Sequence, residues 1–545
     1  MNNNSKTSSD SLKATFDNSK DTEKINITGF RNHLKQNAEK TKVKPHEEIL
    51  ADVMLSLEKV DYKKKAFPEI EELQNKQHEL FQFVAIQTDK NSDECKAKRD
   101  KIKEISEKIS TMKLMEKHFL IISVNEIIRI AQIKKMGLCL NRDLVYLYNG
   151  EFWKSIEKKT FEKFLGEASQ KMGVGKYTAQ YFQFREKLYK QFTATGYLPI
   201  PNKPKDKVLI NLKNGTFEIS ESPTLRPFDH SDFMRYQLPF AFDPEATASK
   251  FRAYLNQVLP EKDKQAILCE YLGYIFIPTV KLKLEKVLFL YGGGANGKSV
   301  LYDIIRALLG EQNTSEYSLQ SLTDINGYSR AQIADKLVNY ASELSGKLES
   351  SKFKSLASGE PMEARLPYRD PFIMQDYAKL IFNTNELPKD VEFTHGFFRR
   401  FLIIPFDVTI PEHEQNKGLA NEIIEEELPG VFNWVLTGLK RLLVNKKFSE
   451  SPSIDKALNE FKTESDTVKR FLEEFEYMPD QENKILLKNL YPNYKEFAFD
   501  DGNRVLSKSN FKKRLELNKI QVKRESAGLQ VYVSQNQHEY GSVGL

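Results

Sequence analysis

Apolar residues recur every three or four positions through EIEELQNKQHELFQF and CKAKRDKIKEISEKISTMKLMEKHFL, between Glu47 and about Phe119. That spacing predicts helices with one apolar stripe and a long charged face. The period falls to two in LVYLYNGEFW (144–153), where an Asn-Gly pair between apolar runs predicts a β-hairpin, and VLINLKNGTFEI predicts another at Asn214-Gly215. Further on, KVLFLY (286–291), KLVNYASE (336–343), AKLIF (378–382) and FLIIPF (401–406) are short apolar runs of the length expected for strands buried in a parallel sheet. Helical spacing returns in VLYDIIRALLG directly after the first of these, so the middle of the chain reads as α/β. Near the end, ESDTVKRFLEEF, ILLKNLYPNYKEFAF and SKSNFKKRLELN predict three helices, and IQVKRESAGLQVYV predicts two short strands around a Gly-containing turn.

These elements divide the chain. Residues 1–45, rich in Asn, Ser, Thr and Lys, carry too few large apolar groups to offset the entropy of ordering and are expected to form a flexible leader. A helical interaction region follows over 46–119, then a mixed α/β domain over 120–245 that contains the Pro-rich connector PIPNKPKD (199–206). A helical segment, Ala248 to Phe276, opens the central α/β domain at 246–450; a C-terminal domain is expected over 455–535 and a tail over 536–545. Several units agree with 545 residues at about 150 per domain.

Composition narrows the function classes. The three cysteines, Cys95, Cys139 and Cys269, lie far apart, which excludes a disulfide scaffold and a cysteine-based zinc ribbon. No stretch approaches the roughly 20 apolar residues that cross a bilayer, and MNNNSKTSSDSLK lacks an apolar signal core, so a cytoplasmic protein without membrane contact is expected. The net charge of +6 is too small to argue for nucleic acid by itself.

The strongest chemical signal follows KVLFLY. Gly292-Gly293-Gly294-Ala295-Asn296-Gly297-Lys298-Ser299, continued by Val300 at the start of a helix, is a GxxxxGK[ST] loop between strand and helix. Its glycines let backbone N–H groups curl around phosphate oxygens, and the helix N-terminus adds the positive end of its dipole. Lys298 is then expected on the β and γ phosphates, with the Ser299 hydroxyl on Mg2+. ATP and Mg2+ are therefore the expected cofactors.

Such a loop works with an acid on a neighbouring strand. Glu343, at the end of KLVNYASE, is the candidate general base and second metal-binding residue. AKLIF runs directly into Asn383-Thr384-Asn385, where an amide at a strand's carboxyl end can bond both γ-phosphate and attacking water, and Asn385 is the candidate for that role. Arg399 and Arg400 precede the last strand, a place from which an arginine can act on a neighbouring subunit's nucleotide. Between acid and amide lies FKSLASGEPMEARLPYRDPF, whose Lys354, Arg365, Tyr368 and Arg369 interleave cations with an aromatic; this suits a loop tracking single-stranded nucleic acid, while an ordinary surface hairpin stays open. In the C-terminal domain Lys508, Lys512, Lys513, Arg514, Lys519, Lys523 and Arg524 face only Glu516 as a counter-charge, which points to duplex DNA, specific or not, with protein docking as the alternative.

In their order, GGGANGKS, LVNYASE, FKSLASGEPMEARLPYRDPF, LIFNTNELP and RRFLIIPF resemble the superfamily 3 AAA+ helicases, in particular the phage, plasmid and poxvirus primase-helicase group. The resemblance covers about 285–407 closely and about 120–535 more loosely. It implies a multidomain α/β protein: an AAA+ P-loop ATPase core, an N-terminal helical and mixed α/β region, and a C-terminal winged-helix domain. The implied activity is ATP-dependent DNA unwinding by a homo-hexameric ring moving 3′ to 5′, serving as replication initiator of a mobile element. A translocase that does not separate strands and an origin-binding scaffold with ATP-controlled assembly are the alternatives. In that frame Lys354 and Arg365 to Arg369 face DNA in the channel, the C-terminal domain binds a duplex origin, and Arg400 matches the arginine finger better than Arg399. Ser342 stands where the group commonly has the first acid of an Asp-Glu pair, while Glu343 matches. With no zinc-ribbon cysteines and no paired acidic motif before residue 120, a separate primase or loading factor is the expected partner.

Overall fold

The computed structural model describes residues 45–535 except 135, 142–143, 196–206, 221–222, 343–347, 368–369, 389–391, 501 and 503–504. The expected leader, the Pro-rich connector and the tail lie outside the described residues. The chain divides into two units, one formed by residues up to 204 with 213–237, the other by 205–212 with 238–545.

In the first unit the amphipathic spacing becomes a helical hairpin, Ile70–Ile86 against Asp93–Thr111, joined by Gln77 donating to Ser106 Oγ at 2.6 Å and by Lys98 Nζ 3.3 Å above the Phe83 ring. Helices Glu116–Ile133, Lys158–Met172 and Phe182–Thr195 enclose a core of Val124, Ile127, Phe161, Leu165, Leu188 and Phe192. Strands β1 (Gly137–Asn141), β2 (Leu144–Tyr148) and β3 (Trp153–Ser155) form an antiparallel sheet in that order. The two-residue Asn-Gly turn expected here is in fact longer, because Tyr148 pairs with Trp153. The Asn149 carboxamide oxygen accepts the Glu151 and Phe152 N–H groups at 2.9 Å, closing an Asx-type turn that competes with the tight hairpin. Chain order continues with β4 (Val208–Leu212), β5 (Gly215–Ile219) and β6 (Thr224–Arg226), the last two paired antiparallel within the first unit.

The second unit is built on a five-stranded parallel sheet. Its strands are β7 (Val287–Tyr291), β8 (Thr314–Ser315), β9 (Val338–Ala341), β12 (Lys379–Thr384) and β13 (Phe401–Pro405), in the spatial order β13-β7-β12-β9-β8. A small antiparallel pair, β10 (Met362–Ala364) and β11 (Phe372–Met374), stands between β9 and β12 in sequence. The apolar runs bury both faces, as a parallel sheet requires, and Phe289 stacks between Phe382 and Phe401 at 5.7 and 4.7 Å. The helical segment expected from Ala248 to Phe276 is two helices, Ser249–Val258 and Lys262–Tyr274, because Pro260 cannot continue the first. The second of these packs closely on Leu428–Asn445: a Cβ added at Gly438 would meet the Cys269 backbone at 2.4 Å.

The boundary expected at 455 falls inside a helix, Pro452–Glu464, whose Phe461 packs on Phe398 and Phe401 and so belongs to the sheet's core. The C-terminal module begins at the Asp466 cap. It comprises helices Thr467–Glu474, Leu487–Asp500 and Lys508–Leu517 around Phe471, Tyr494 and Phe511, with β14 (Tyr477–Pro479), β15 (Ile485–Leu486), β16 (Val522–Glu525), β17 (Gly528–Val531) and β18 (Val533–Gln535) in two antiparallel sheets.

Candidate functional site

Everything chemical in the central domain follows from strand order. The registers place Thr384 beside Tyr291 and Phe382 beside Ala341, so the loop after β7, the residue after β12 and the segment after β9 leave the sheet at one edge. Ligands of parallel α/β sheets bind at that carboxyl edge.

The loop after β7 is shaped by two of its glycines. Gly292 has φ 155° and its missing side chain faces the Phe406 carbonyl, 2.4 Å from where a Cβ would stand. Gly297 has φ 84°, in the left-handed region, and a Cβ there would strike Val258 Cγ1 at 2.6 Å. By contrast, a Cβ on Gly293 or Gly294 would meet nothing within 4 Å, so the outer side of the loop is open. The helix Lys298–Leu309 starts immediately after Gly297 and aims its first N–H groups at that opening.

Lys298 is buried, and its ammonium donates to the carbonyls of Gly292 and Gly293 at 2.7 and 2.8 Å, to Asn296 Oδ1 at 3.1 Å and to Asn385 Oδ1 at 3.5 Å. Burial pushes its pKa down from the ordinary lysine value, as for a cation held beside partial charges alone. Ser299 and Asn385 are exposed at the mouth, and Val300 is half-buried. Asn296 does something different from what its place in the motif suggests: its amide donates to the Gly293 and Phe406 carbonyls, so it braces the loop from beneath. One contributor carries no motif signal. The Tyr254 hydroxyl, from Ser249–Val258, donates to the Gly297 carbonyl at 2.8 Å, and only the three-dimensional fold brings it there. Likewise Asn383, two residues before Asn385, is buried and accepts from Tyr340 Oη at 2.9 Å, tying β12 to β9. An exposed hydroxyl, an open loop of backbone N–H groups and a lysine suit a nucleotide's phosphates and its Mg2+.

Glu343 lies outside the described residues, as do Tyr368 and Arg369. Arg365 is exposed where β10 runs into the loop toward β11. Lys354, on the helix Ser350–Ser358, pairs with Glu392 at 2.8 Å, which occupies the ammonium expected to face DNA.

The two arginines part company. Arg400 is buried, and its guanidinium donates to the carbonyls of Lys354 (3.2 Å) and Gly396 and to Ser358 Oγ (2.9 Å). Arg399 pairs with Glu285 but keeps 46% of its side chain in solvent. Arg400, the better match to the finger by its place in the motif, thus ties the start of β13 to the helix Ser350–Ser358, whereas Arg399 is the more exposed of the two. Both precede β13, whose Phe401 pairs with Val287 at the amino edge of the sheet. At about 3.3 Å per residue, roughly 15 Å of strand separates them from the loop after β7.

Arg514 is enclosed too: its guanidinium is buried 3.5 Å from the Phe393 ring centroid and 3.4 Å from Asp466 Oδ1, partners other than the DNA expected of it. Lys508, Lys513, Lys523 and Arg524 are exposed, as is Lys519, and Lys512 is half-buried near Glu516. Among the described residues no group of three or more His, Cys, Asp and Glu side chains could hold a metal, and no helix is long and apolar enough to cross a membrane.

Two protein families match parts of the chain. Residues 129–260 match the family described as D5 N terminal like, and residues 290–400 a family of unknown function, DUF5906. A protein named as a helicase in Acanthamoeba polyphaga mimivirus is 23% identical over 278 residues, 48% of this chain and 28% of that protein. Another so named, from Invertebrate iridescent virus 3, is 23% identical over 335 residues, 53% of this chain and 35% of its own length. The chain thus spans about a third of the length of these curated relatives. A solved structure of the NrS-1 C terminal region aligns with a TM-score of 0.41 at 14% identity, covering 75% of this chain and 98% of that one. The sequence matches support kinship with viral proteins named as helicases.

Proposed function

We propose that this protein is an ATP-dependent DNA helicase that initiates replication of a mobile element. The observation that carries the reading is the joint placement of Lys298 and Asn385 at the carboxyl ends of adjacent parallel strands, over a loop open at Gly293 and Gly294. Kinship with helicase-named viral proteins supports it.

In this reading the core is a superfamily 3 AAA+ ATPase. Lys298 exchanges loop carbonyls for β- and γ-phosphate oxygens, and the loop N–H groups hold the rest of the triphosphate. Ser299 and Glu343 would hold Mg2+, which would supply charge neutralisation on the phosphates. Glu343 accepts a proton from the attacking water, which Asn385 orients. Arg399 of one subunit reaches the nucleotide of the next, since the sheet keeps it from its own. A hexameric ring supplies that neighbour and threads one strand past the loop between β10 and β11, moving 3′ to 5′. The C-terminal module acts as a winged helix on a duplex origin through Lys508, Lys513, Lys523 and Arg524, and a separate primase or loader completes the system.

The test is ATP turnover with and without single-stranded DNA, followed by strand displacement from a forked duplex. The reading predicts stimulation by single strands and displacement that needs ATP. Turnover without displacement would leave a translocase or scaffold, and no turnover at all would overturn the reading.

A further inference from the structure

The arginine segment and the C-terminal module meet at one side chain. Phe393 stands just before Thr394, whose hydroxyl accepts the Phe397 N–H and so caps the four-residue helix His395–Phe398. Arg399 and Arg400 follow that helix directly. Arg514, from the middle of Lys508–Leu517, lays its guanidinium on Phe393. A groove of about 1570 Å3 runs between this helix and the end of β12, bordered by Asn385, Phe393, Lys513 and Arg514. Both stacked side chains line it.

Arg514 is also held from behind. Asp466, its ion-pair partner, caps Thr467–Glu474 by accepting the Val468 and Lys469 N–H groups and accepts the Asn518 amide at 3.1 Å. Asn518 in turn donates to the Arg514 carbonyl at 3.0 Å. The Arg514 backbone is thereby anchored within the C-terminal module, and its guanidinium lies between Asp466 at 3.4 Å and the Phe393 ring. Burial lowers its pKa from the usual arginine value, so the aromatic face and Asp466 offset a desolvated charge. On the other side, Glu392 accepts from both Lys354 Nζ and Thr394 Oγ1, and the Lys354 carbonyl accepts from Arg400. Movement of Phe393 is thus movement of the helix cap and of the base on which Arg399 stands.

We propose that Arg514 is a positioning residue for Arg399: by stacking on Phe393 it makes the C-terminal module set the placement of the arginine that acts on the neighbouring subunit's nucleotide. This rests on the function proposed above and adds a route by which the duplex-binding module controls turnover. Because the coupling is reciprocal, whatever moves the helix Lys508–Leu517 on duplex DNA also moves the arginine segment.

The experiment uses the full chain and the variants Phe393→Leu, Phe393→Tyr, Arg514→Ala and the Phe393→Leu/Arg514→Ala double, measuring kcat and KM for ATP and the unfolding midpoint. Loss of the stack is expected to lower kcat roughly tenfold with KM changed less than about twofold. Phe393→Tyr keeps an aromatic face and should keep the parent kcat. The double variant should fall no further than either single, since both remove one interaction. If Arg514→Ala does not fold, the Leu and Tyr variants at 393 decide alone. A parent that turns over ATP while Phe393→Leu matches it in kcat overturns this proposal only. The same holds if Tyr and Leu fall together with the unfolding midpoint, or if the double shows the product of two independent losses. A parent without turnover overturns the proposed function, and this proposal with it.

Discussion

At the carboxyl edge of the sheet, Lys298 rests on loop carbonyls beside Gly293 and Gly294, where an added Cβ would meet nothing within 4 Å among the described residues, with Ser299 and Asn385 exposed. At the amino edge, Lys286 donates to the Phe401 carbonyl at 3.2 Å, Lys379 donates to Thr279 and lies 4.2 Å above the Tyr274 ring, and Arg400 is bound on three sides. The residue types are the same, but their partners differ. Cations over carbonyl groups at an open loop can exchange them for anionic oxygens, whereas cations enclosed by backbone and aromatic rings hold elements in place. Arg399, by contrast with Lys286, Lys379 and Arg400, keeps nearly half of its side chain in solvent while paired with Glu285. That difference separates the site from its scaffold.

The sharpest break between the two edges should come from Lys298→Ala. Losing the phosphate-binding charge is expected to lower turnover by about 10²–10³ or more, while the unfolding midpoint holds or rises, because a desolvated ammonium leaves with it. Turnover near the parent's would remove the carboxyl edge from the chemistry. Arg399→Ala and Arg400→Ala should then divide a pair that adjoins in sequence. The first is expected to reduce kcat by about 10³ with the midpoint unchanged. The second should destabilise the fold by about 2–4 kcal/mol, since Ser358 and two carbonyls lose their donor. A reversed pattern, read by steady-state kinetics and thermal unfolding together, would restore Arg400 as the finger. Asn385→Ala should lower kcat about tenfold to a hundredfold while nucleotide affinity, measured by a fluorescent analogue, changes little.

How far the sequence led depends on whether a signal is local. The strand, the glycine-rich loop and its helix form one continuous stretch, and the apolar run before Asn383-Thr384-Asn385 marks a strand end, so the placement of both at one sheet edge was legible. Arg399 and Arg400 differ by one position, and only the packing of Ser350–Ser358 decides which is enclosed. Arg514 read as a DNA contact because its neighbours are basic; Phe393, which covers it, lies far away in sequence and gives no pattern to find. Pro260 did carry a local signal, the break between two helices, and the periodic apolar spacing around it masked that break.

The smallest expected effect lies in the amino edge itself. Burial lowers the Lys379 pKa to about 8 from the free value of 10.5. Below pH 8 the ammonium is charged in both the folded and the unfolded chain, and the folded state carries the full cost of burying it. Between pH 8 and 10.5 the unfolded chain binds more protons, so stability rises with pH and that cost fades. Lys379→Met should accordingly raise the unfolding midpoint, most below pH 8 and progressively less toward pH 10.5. A gain that is independent of pH would assign the effect to packing instead of charge.

Under the proposed function the amino edge of one copy serves the carboxyl edge of the next, and mixing two inactive variants reads this out. Arg399→Ala and Lys298→Ala proteins, each inactive alone, are combined over a range of ratios, with co-assembly followed by fluorescence transfer between labelled chains. The account predicts recovered ATP turnover, greatest near equal amounts, where interfaces pair an intact Lys298 with an intact Arg399. Co-assembly without recovery at any ratio would contradict it.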